Sequence, residues 1–279
     1  MIAVLGGLGA AVCWSAGTLA AARASRLIGA NRVLAWVMLV GLAVNAPLAL
    51  AAGFPDALHG TGIVWFAVAG AANVGGLLLA YDAMRLGKVS IVAPITSTEG
   101  AIAAVLAVID GEALHASSAV LLGVVAVGVV LASRTAEHER AVHPVRATLL
   151  AVAAALSFGV GLFSTGHLSG ELPIVWAMLP PRLVGVAVTV PGLVRGRLGV
   201  ALSVLPFLIL SGLCEIGGFA SYTTGARHSI AISAVLASQF AALAAVAAFL
   251  LFRERLSRVQ LAGVVVVVVG VAVLSALQA

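Results

Sequence analysis

Ten long apolar segments are the feature of this sequence that most restricts its fold. Each is about 20 residues long, the length a helix needs to cross roughly 30 Å of hydrocarbon. They are residues 2–22, 33–53, 61–84, 89–109, 117–133, 147–167, 172–194, 203–225, 229–252 and 257–277. The segments are too long for strands and do not alternate, and helices satisfy their own backbone hydrogen bonds in lipid. The sequence therefore predicts an all-α integral membrane protein with ten transmembrane helices, spans 1 to 10.

The scarcity of charge supports this assignment. Only 9% of the residues are charged, against roughly 25% in soluble domains, so the outer surface must face a lipid bilayer. The formal net charge of +5 comes from basic residues in short segments between apolar runs, which argues against nucleic-acid binding. Cys13 and Cys214 lie in apolar runs and the six His form no ligand pair, so we expect no metal and no cofactor.

Basic residues are distributed unevenly among the loops. Thirteen of the 15 Lys and Arg fall in loops 1–2, 3–4, 5–6, 7–8 and 9–10, which we call the basic end. The opposite loops, the acidic end, contain Asp56, Asp110, Glu112 and Glu171, with Arg227 as their basic residue. The positive-inside rule places the basic end in the cytoplasm and both termini outside it. We expect a multi-pass protein of the bacterial inner (cytoplasmic) membrane.

The sequence also resembles itself at a shift of 142 residues. The polar matches are Asn73 with Glu215, Arg85 with Arg227, and Glu112 with Glu254. We predict a first five-helix repeat over 1–133, a cytoplasmic linker over 134–146 and a second repeat over 147–279. Because five is odd, the two repeats must be upside down relative to each other. Inverted repeats recur in secondary transporters, where they surround a central site.

Several local motifs are similar to a known family. The stretch from Tyr81 to Gly100, followed by Asp110-Gly111-Glu112, resembles the EamA-type half of the drug/metabolite transporter superfamily. The second half has Tyr222, then Arg253-Glu254 and Gln260 at similar places. Trp14-Ser15 in span 1 is also like the start of the family.

The resemblance implies a ten-helix transporter with a central cavity. Spans 1, 3, 4, 6, 8 and 9 would line the cavity, and spans 5 and 10 would be peripheral. Family members often have Glu-Pro in span 4, where this chain has Glu99-Gly100; span 9 has Gln239-Phe240. The resemblance implies cytoplasmic termini, whereas the charge distribution implies the opposite, and we keep the orientation that the charge distribution predicts.

Three charged residues lie in the middle of spans: Glu99, Arg182 and Glu215. Each costs roughly 2.5–3.5 kcal/mol on insertion scales, so it normally faces the bundle interior or water. One interpretation is an ion pair that only holds helices together. The interpretation we favour is that at least one carboxylate contacts substrate or a coupling proton.

Helical spacing places further polar residues beside these charges. Ser211, Glu215, Gly218 and Tyr222 follow one another at steps of four, three and four along span 8, which aligns them on one face. The full set of candidate cavity residues is Trp14, Asn73, Ser97, Glu99, Arg182, Glu215, Tyr222 and Gln239.

These features favour a secondary active transporter working by alternating access. We expect an exporter of small metabolites or drugs, with H⁺ as the candidate coupling ion, acting as a monomer or weak homodimer. The alternative is a channel or a flippase-type subunit of a membrane complex. We predict no enzymatic activity, because neither a catalytic group nor a phosphate-binding motif is recognisable.

Overall fold

The computed structural model describes residues 1–87, 89–132, 143–195, 200–243, 246–247 and 257–277, and over these ranges it is helical without strands. In chain order the helices are α1 (Ile2–Ile28), α2 (Ala30–Ala51), α3 (Thr61–Leu86), α4 (Val89–Thr96), α5 (Glu99–Ile109), α6 (Ala116–Ala132), α7 (Pro144–Glu171), α8 (Ile174–Ala177), α9 (Pro180–Arg195), α10 (Leu205–Ala226), α11 (Ile230–Ala237) and α12 (Arg258–Leu277).

These helices reproduce the ten predicted spans. Seven helical segments are long and apolar enough to cross a membrane by length and composition, and three shorter apolar helices cover Ala116–Ala132, Ile230–Leu243 and Arg258–Val271. Span 4 is divided into α4 and α5, span 7 into α8 and α9, and span 9 begins with α11. The all-α membrane fold is therefore confirmed.

Some helices extend beyond the apolar segments. α1 continues past residue 22 to Ile28, and α7 runs from Pro144 to Glu171. Arg23 and Arg26 on the extra turn of α1 are exposed. Their long side chains reach water, so the helix can continue beyond the apolar segment. The predicted linker 134–146 lies mostly outside the described residues, and the repeat boundaries remain a prediction.

The packing of the helices follows a two-fold pattern. α1 packs along α10 and α3 packs along α7, while α2 meets α10 and α3 meets α9. α2 also packs on α9 and α6 on α12, while α4 packs on α7 and α11 on α1. Exchanging α1 with α7, α3 with α10, α2 with α9, α4 with α11 and α6 with α12 reproduces this set of contacts. The exchange is the one that an inverted repeat requires.

The peripheral position implied for spans 5 and 10 also agrees with the structure. α12 packs mainly on α6, and Gly128 and Gly263 allow their backbones to approach closely. Large apolar side chains on the outer faces of these helices, such as Val127 and Val268, are exposed. In a bilayer they would face acyl chains.

Two helices break at equivalent points. α4 ends before Ser97, whose hydroxyl donates to the carbonyl of Pro94 at 2.9 Å. The helix that begins with α11 turns at Ser238, whose hydroxyl donates to the carbonyl of Val235 at 2.8 Å. The two breaks are 141 residues apart (238 minus 97), close to the shift of the repeat. Hydroxyl groups that bond the preceding turn bend helices in this way, so the first break forms although Gly100 replaces the family's proline.

Candidate functional site

Arg182 is the most deeply buried charge in the described part of the chain. It follows Pro180 and Pro181 in the first turn of α9, and its side chain is 0% exposed. Its Nη1 lies 3.5 Å from Glu215 Oε1 on α10 and 3.6 Å from Met38 Sδ on α2. These contacts place the guanidinium among three helices from both halves.

The aromatic and small residues around Arg182 fit its shape. Its Cζ lies 4.8 Å from the centroid of the Phe219 ring, a cation–π contact. A Cβ at Gly41 would lie only 2.9 Å from Arg182 Cδ, so the guanidinium stem needs a glycine on α2. Phe219 and Gly41 therefore hold the side chain in one orientation.

Arg182 retains hydrogen-bonding capacity that the protein does not use. A guanidinium has five N–H groups, and Nε and Nη2 of Arg182 are buried without a partner among the described residues. An unsatisfied buried donor costs about 1–3 kcal/mol. A bound ligand that supplied the missing hydrogen-bond acceptors would remove this cost.

Glu215 and Glu99 bring two carboxylates toward the same region. The side chain of Glu215 is 27% exposed although it lies in mid-span, so it borders open space. Glu99 is 7% exposed and begins α5, where the helix dipole favours a negative group. The charge of Glu215 acts on Glu99 and on Tyr81 of α3. Glu215 is therefore the carboxylate that pairs with Arg182, and Glu99 lies within range of the charge of Glu215.

Trp14 lies at the centre of an aromatic group. Its ring centroid is 5.2 Å from that of Phe219, 6.2 Å from Tyr222 and 6.3 Å from Phe240. The indole packs onto Gly218, where a Cβ would overlap it. Phe219 touches both Trp14 and Arg182, and so joins the aromatic group to the ion pair.

Tyr222 and Ser97 use their hydroxyl groups within the protein. The Tyr222 hydroxyl donates to the carbonyl of Leu162 at 2.8 Å and joins α10 to α7. The Ser97 hydroxyl bonds Pro94 at the first break. Their roles here are structural contacts at the edge of the ion pair's surroundings.

Asn73 and Gln239 lie at helix contacts. Asn73 faces Gly161 where α3 meets α7, and its Oδ1 is buried without a partner within the described ranges. Gln239 lies at the second break with Nε2 similarly unsatisfied. The structure thus groups Arg182 with Glu215 and, electrostatically, Glu99, and groups Trp14 with Tyr222. Among the described residues, no hydrogen bond is seen from Asn73 or Gln239 to these groups, and the Ser97 hydroxyl bonds Pro94.

Sequence reasoning missed three neighbours of Arg182. Phe219 is four residues after Glu215, so the face defined by Glu215 and Tyr222 could have included it. Met38 and Gly41 lie in span 2, where uniformly apolar neighbours give no contrast between faces. No sequence signal distinguished them.

A cavity of about 320 Å³ opens at the basic end. Its lining comes from the start of α2, from α3 and from the second half of α9: Asn31, Arg32, Leu34, Leu78, Val188, Thr189 and Gly192. Met38 is one turn deeper than Leu34 along α2, and Arg182 is about two turns deeper than Val188 along α9. The cavity is therefore on the approach to the ion pair from this end.

Known proteins resemble this chain in sequence and in fold. Residues 1–134 match the EamA-like transporter family, and no curated protein matches the sequence. The crystal structure of another protein, 18% identical, has a TM-score of 0.81 and covers 99% of this chain and 96% of its own. That likeness shows the shared fold. Residues 1–134, just under half of the chain, therefore resemble the EamA-like transporter family of the drug/metabolite transporter superfamily.

Proposed function

We propose that this membrane transporter is a secondary active exporter of small metabolites or drugs that works by alternating access. The observation that carries the proposal is the fully buried Arg182 beside the partly exposed Glu215. Two donor atoms of Arg182 find no partner among the residues that the structure describes. Charged groups held in mid-membrane normally mark a substrate or ion path. The two-fold packing of the helices supports alternating access, since similar halves can exchange conformations around a fixed site.

The chemistry of the site suggests how a substrate would bind. Arg182 offers donors to an anionic or acceptor-rich group, and the aromatic rings of Phe219 and Trp14 offer an apolar surface. When both are ionised, Glu99 and Glu215 carry one more negative charge than Arg182 can neutralise. We infer that the surplus carboxylate takes up either a proton or a cationic group of the substrate during the cycle.

The position of the cavity supports export. It opens at the basic end, which the positive-inside rule assigns to the cytoplasm. An exporter must load its substrate from that side. In this proposal the protein works in the bacterial inner membrane, as a monomer or weak homodimer.

The proposal is tested in two steps. A thermal-shift screen of the purified protein against amino acids, polyamines, nucleosides and cationic drugs identifies a ligand, because binding to the folded state raises its Tm. Uptake of that ligand is then measured in liposomes with and without a pH gradient. The variants compared are Glu215→Gln, Glu99→Gln and, as a matched control, the exposed loop variant Asp56→Asn.

We expect uptake that depends on the gradient, is lost in Glu215→Gln and is unchanged in Asp56→Asn. Uptake that ignores the gradient, or that persists in both Glu215→Gln and Glu99→Gln, would reject proton coupling through these carboxylates. Single-channel currents in place of saturable uptake would favour a channel.

A further inference from the structure

Arg227 fastens two helices together at the acidic end. It follows the end of α10, and its Nε donates to the carbonyl of Ser169 at 2.7 Å. Its Nη2 donates to the carbonyl of Leu172 at 2.8 Å. Both acceptors are at the end of α7, where the last carbonyl groups lack helical partners and favour a positive charge.

Arg85 is the counterpart of Arg227 at the shift of 142 residues, but its side chain is placed differently. The same shift maps Ser169 onto Leu27, in the last turn of α1, and Leu172 onto Ala30, the first residue of α2. Arg85 does not bond to these residues: its side chain is 80% exposed and pairs with Asp82 of its own helix at 3.5 Å. One member of the pair is engaged and the other points to solvent.

Helix packing shows the same asymmetry. α7 packs against α10, whereas α1 and α3, their counterparts, make no comparable contact in the described part of the chain. The cavity at the basic end lies where that contact is missing. It is lined by Leu78 of α3 and by Asn31 and Arg32 just after α1.

A second contact joins two segments at the acidic end, beside a pocket of about 210 Å³ that Glu112 and Ser229 help to line. The Glu112 carboxylate accepts hydrogen bonds from the Ser229 hydroxyl and from the N–H groups of Ile230 at 3.0 Å and Ala231 at 3.2 Å. It therefore joins the loop after α5 to the start of α11. Its repeat counterpart, Glu254, lies outside the described residues.

We propose that Arg227 and Arg85 are alternating gate residues, each closing one end of the transporter in one of its two states. In the state seen here Arg227 holds α10 to α7, and Arg85 at the basic end does not engage α1. In the opposite state Arg227 releases the α7 carbonyls, α3 moves toward α1, and Arg85 donates to the carbonyls of Leu27 and Ala30. The exchange rests on the alternating access proposed above, and in each state an arginine would donate to backbone carbonyl groups.

The two arginines therefore act against each other on one equilibrium. Removing the Arg227 contact destabilises the state with a closed acidic end, and removing Arg85 destabilises the state with a closed basic end. A ligand or a substitution shifts such an equilibrium only if it changes the free energies of the two states by different amounts. The test is a substitution at one end that changes exposure at the other.

The experiment follows a thiol at the acidic end. Ser169→Cys is introduced after Cys13→Ser and Cys214→Ser, since the Ser169 side chain is fully buried in this state. The protein is placed in nanodiscs, which leave both ends accessible, and labelled with a membrane-impermeant maleimide. The labelling rate reports the fraction of molecules whose acidic end is open. The test variants are Arg227→Ala, Arg85→Ala and their combination, and Arg23→Ala, an exposed arginine of the basic end, is the control.

We expect Arg227→Ala to raise the labelling rate and Arg85→Ala to lower it, each by about tenfold, the change that corresponds to about 1.4 kcal/mol. The double variant should return near the parent rate, and Arg23→Ala should not change it. If Arg227 had only a structural role, Arg85→Ala would not slow labelling at the acidic end.

An unchanged or faster rate in Arg85→Ala would overturn the proposal, whether or not Arg227→Ala folds. No substrate is needed, so the result is separate from the liposome assay. Transport in liposomes together with flat labelling rates would reject the gate and leave the proposed function standing. If the two variants shift the labelling rate in opposite directions but uptake does not depend on the pH gradient, the gate would be supported and proton-coupled transport would be rejected.

Discussion

Gly100 of α5 lies directly against Ser238 at the break that follows α11. A methyl group on Gly100 would be 2.8 Å from Ser238 Cβ and would overlap the carbonyl oxygen of Ala234. The two helices belong to different halves and cross next to their breaks. This crossing puts Glu99, the residue before Gly100, close to the two-fold centre of the bundle.

Gly100→Ala should therefore destabilise the fold. Overpacking of a tight contact costs about 1–3 kcal/mol, because neither the Ala234 carbonyl nor the helix break can move freely. The control is Gly75→Ala on α3, where an added Cβ meets no atom within 4 Å. That control should be neutral or stabilising by up to about 1 kcal/mol. Thermal unfolding in detergent compares the two, and a Tm for Gly100→Ala at or above that of Gly75→Ala would contradict the crossing.

The ion pair gives a second prediction. Glu215→Leu should lower the unfolding free energy by about 3 kcal/mol, because it leaves the buried Arg182 without its counter-charge. The double variant Glu215→Leu/Arg182→Met should recover most of that loss, since no uncompensated charge remains. Strictly additive losses in the double variant would show that the two side chains do not interact.

Tyr222 gives a third prediction. Tyr222→Phe removes the hydroxyl that donates to Leu162 at 2.8 Å but keeps the ring beside Trp14. We expect a loss of about 1 kcal/mol. Tyr222→Leu also removes the ring contact and should lower the Tm further. If both variants unfold at the temperature of the parent protein, the α10–α7 contact through Tyr222 is absent in solution.

The sequence predicted the helices better than their breaks. Long apolar segments determine where a chain crosses lipid, and the spacing of Arg85 and Arg227 revealed the repeat. The break at Ser97 depends on a hydroxyl that bonds a carbonyl three residues earlier, and many serines in helices make no such bend. Its existence could be read only from the structure.

The candidate site was predicted through its charges. Glu99, Arg182 and Glu215 stand out because ionised groups are costly in lipid, and the structure indeed buries Arg182 beside Glu215. Phe219 and Met38 complete the surroundings of Arg182, yet an apolar side chain in an apolar helix carries no sign of which way it faces. Arg227 stood out in the sequence as an exception to the charge distribution and as the counterpart of Arg85. Its contact with α7 could not be predicted, because backbone acceptors leave no trace in the sequence.

The central claim is that the two halves interlock and enclose the ion pair between them. A Cβ on Gly161 of α7 would lie 3.6 Å from Asn73 Cβ of α3, within the range of a disulfide, about 3.5–4.5 Å. The direct measurement is oxidation of Asn73→Cys/Gly161→Cys in membranes, without Cys13 and Cys214, followed by cleavage at a protease site inserted in the predicted linker 134–146. We predict that the two halves migrate together without reductant and separate with it. Halves that separate under both conditions, while both thiols remain reactive, would contradict the account.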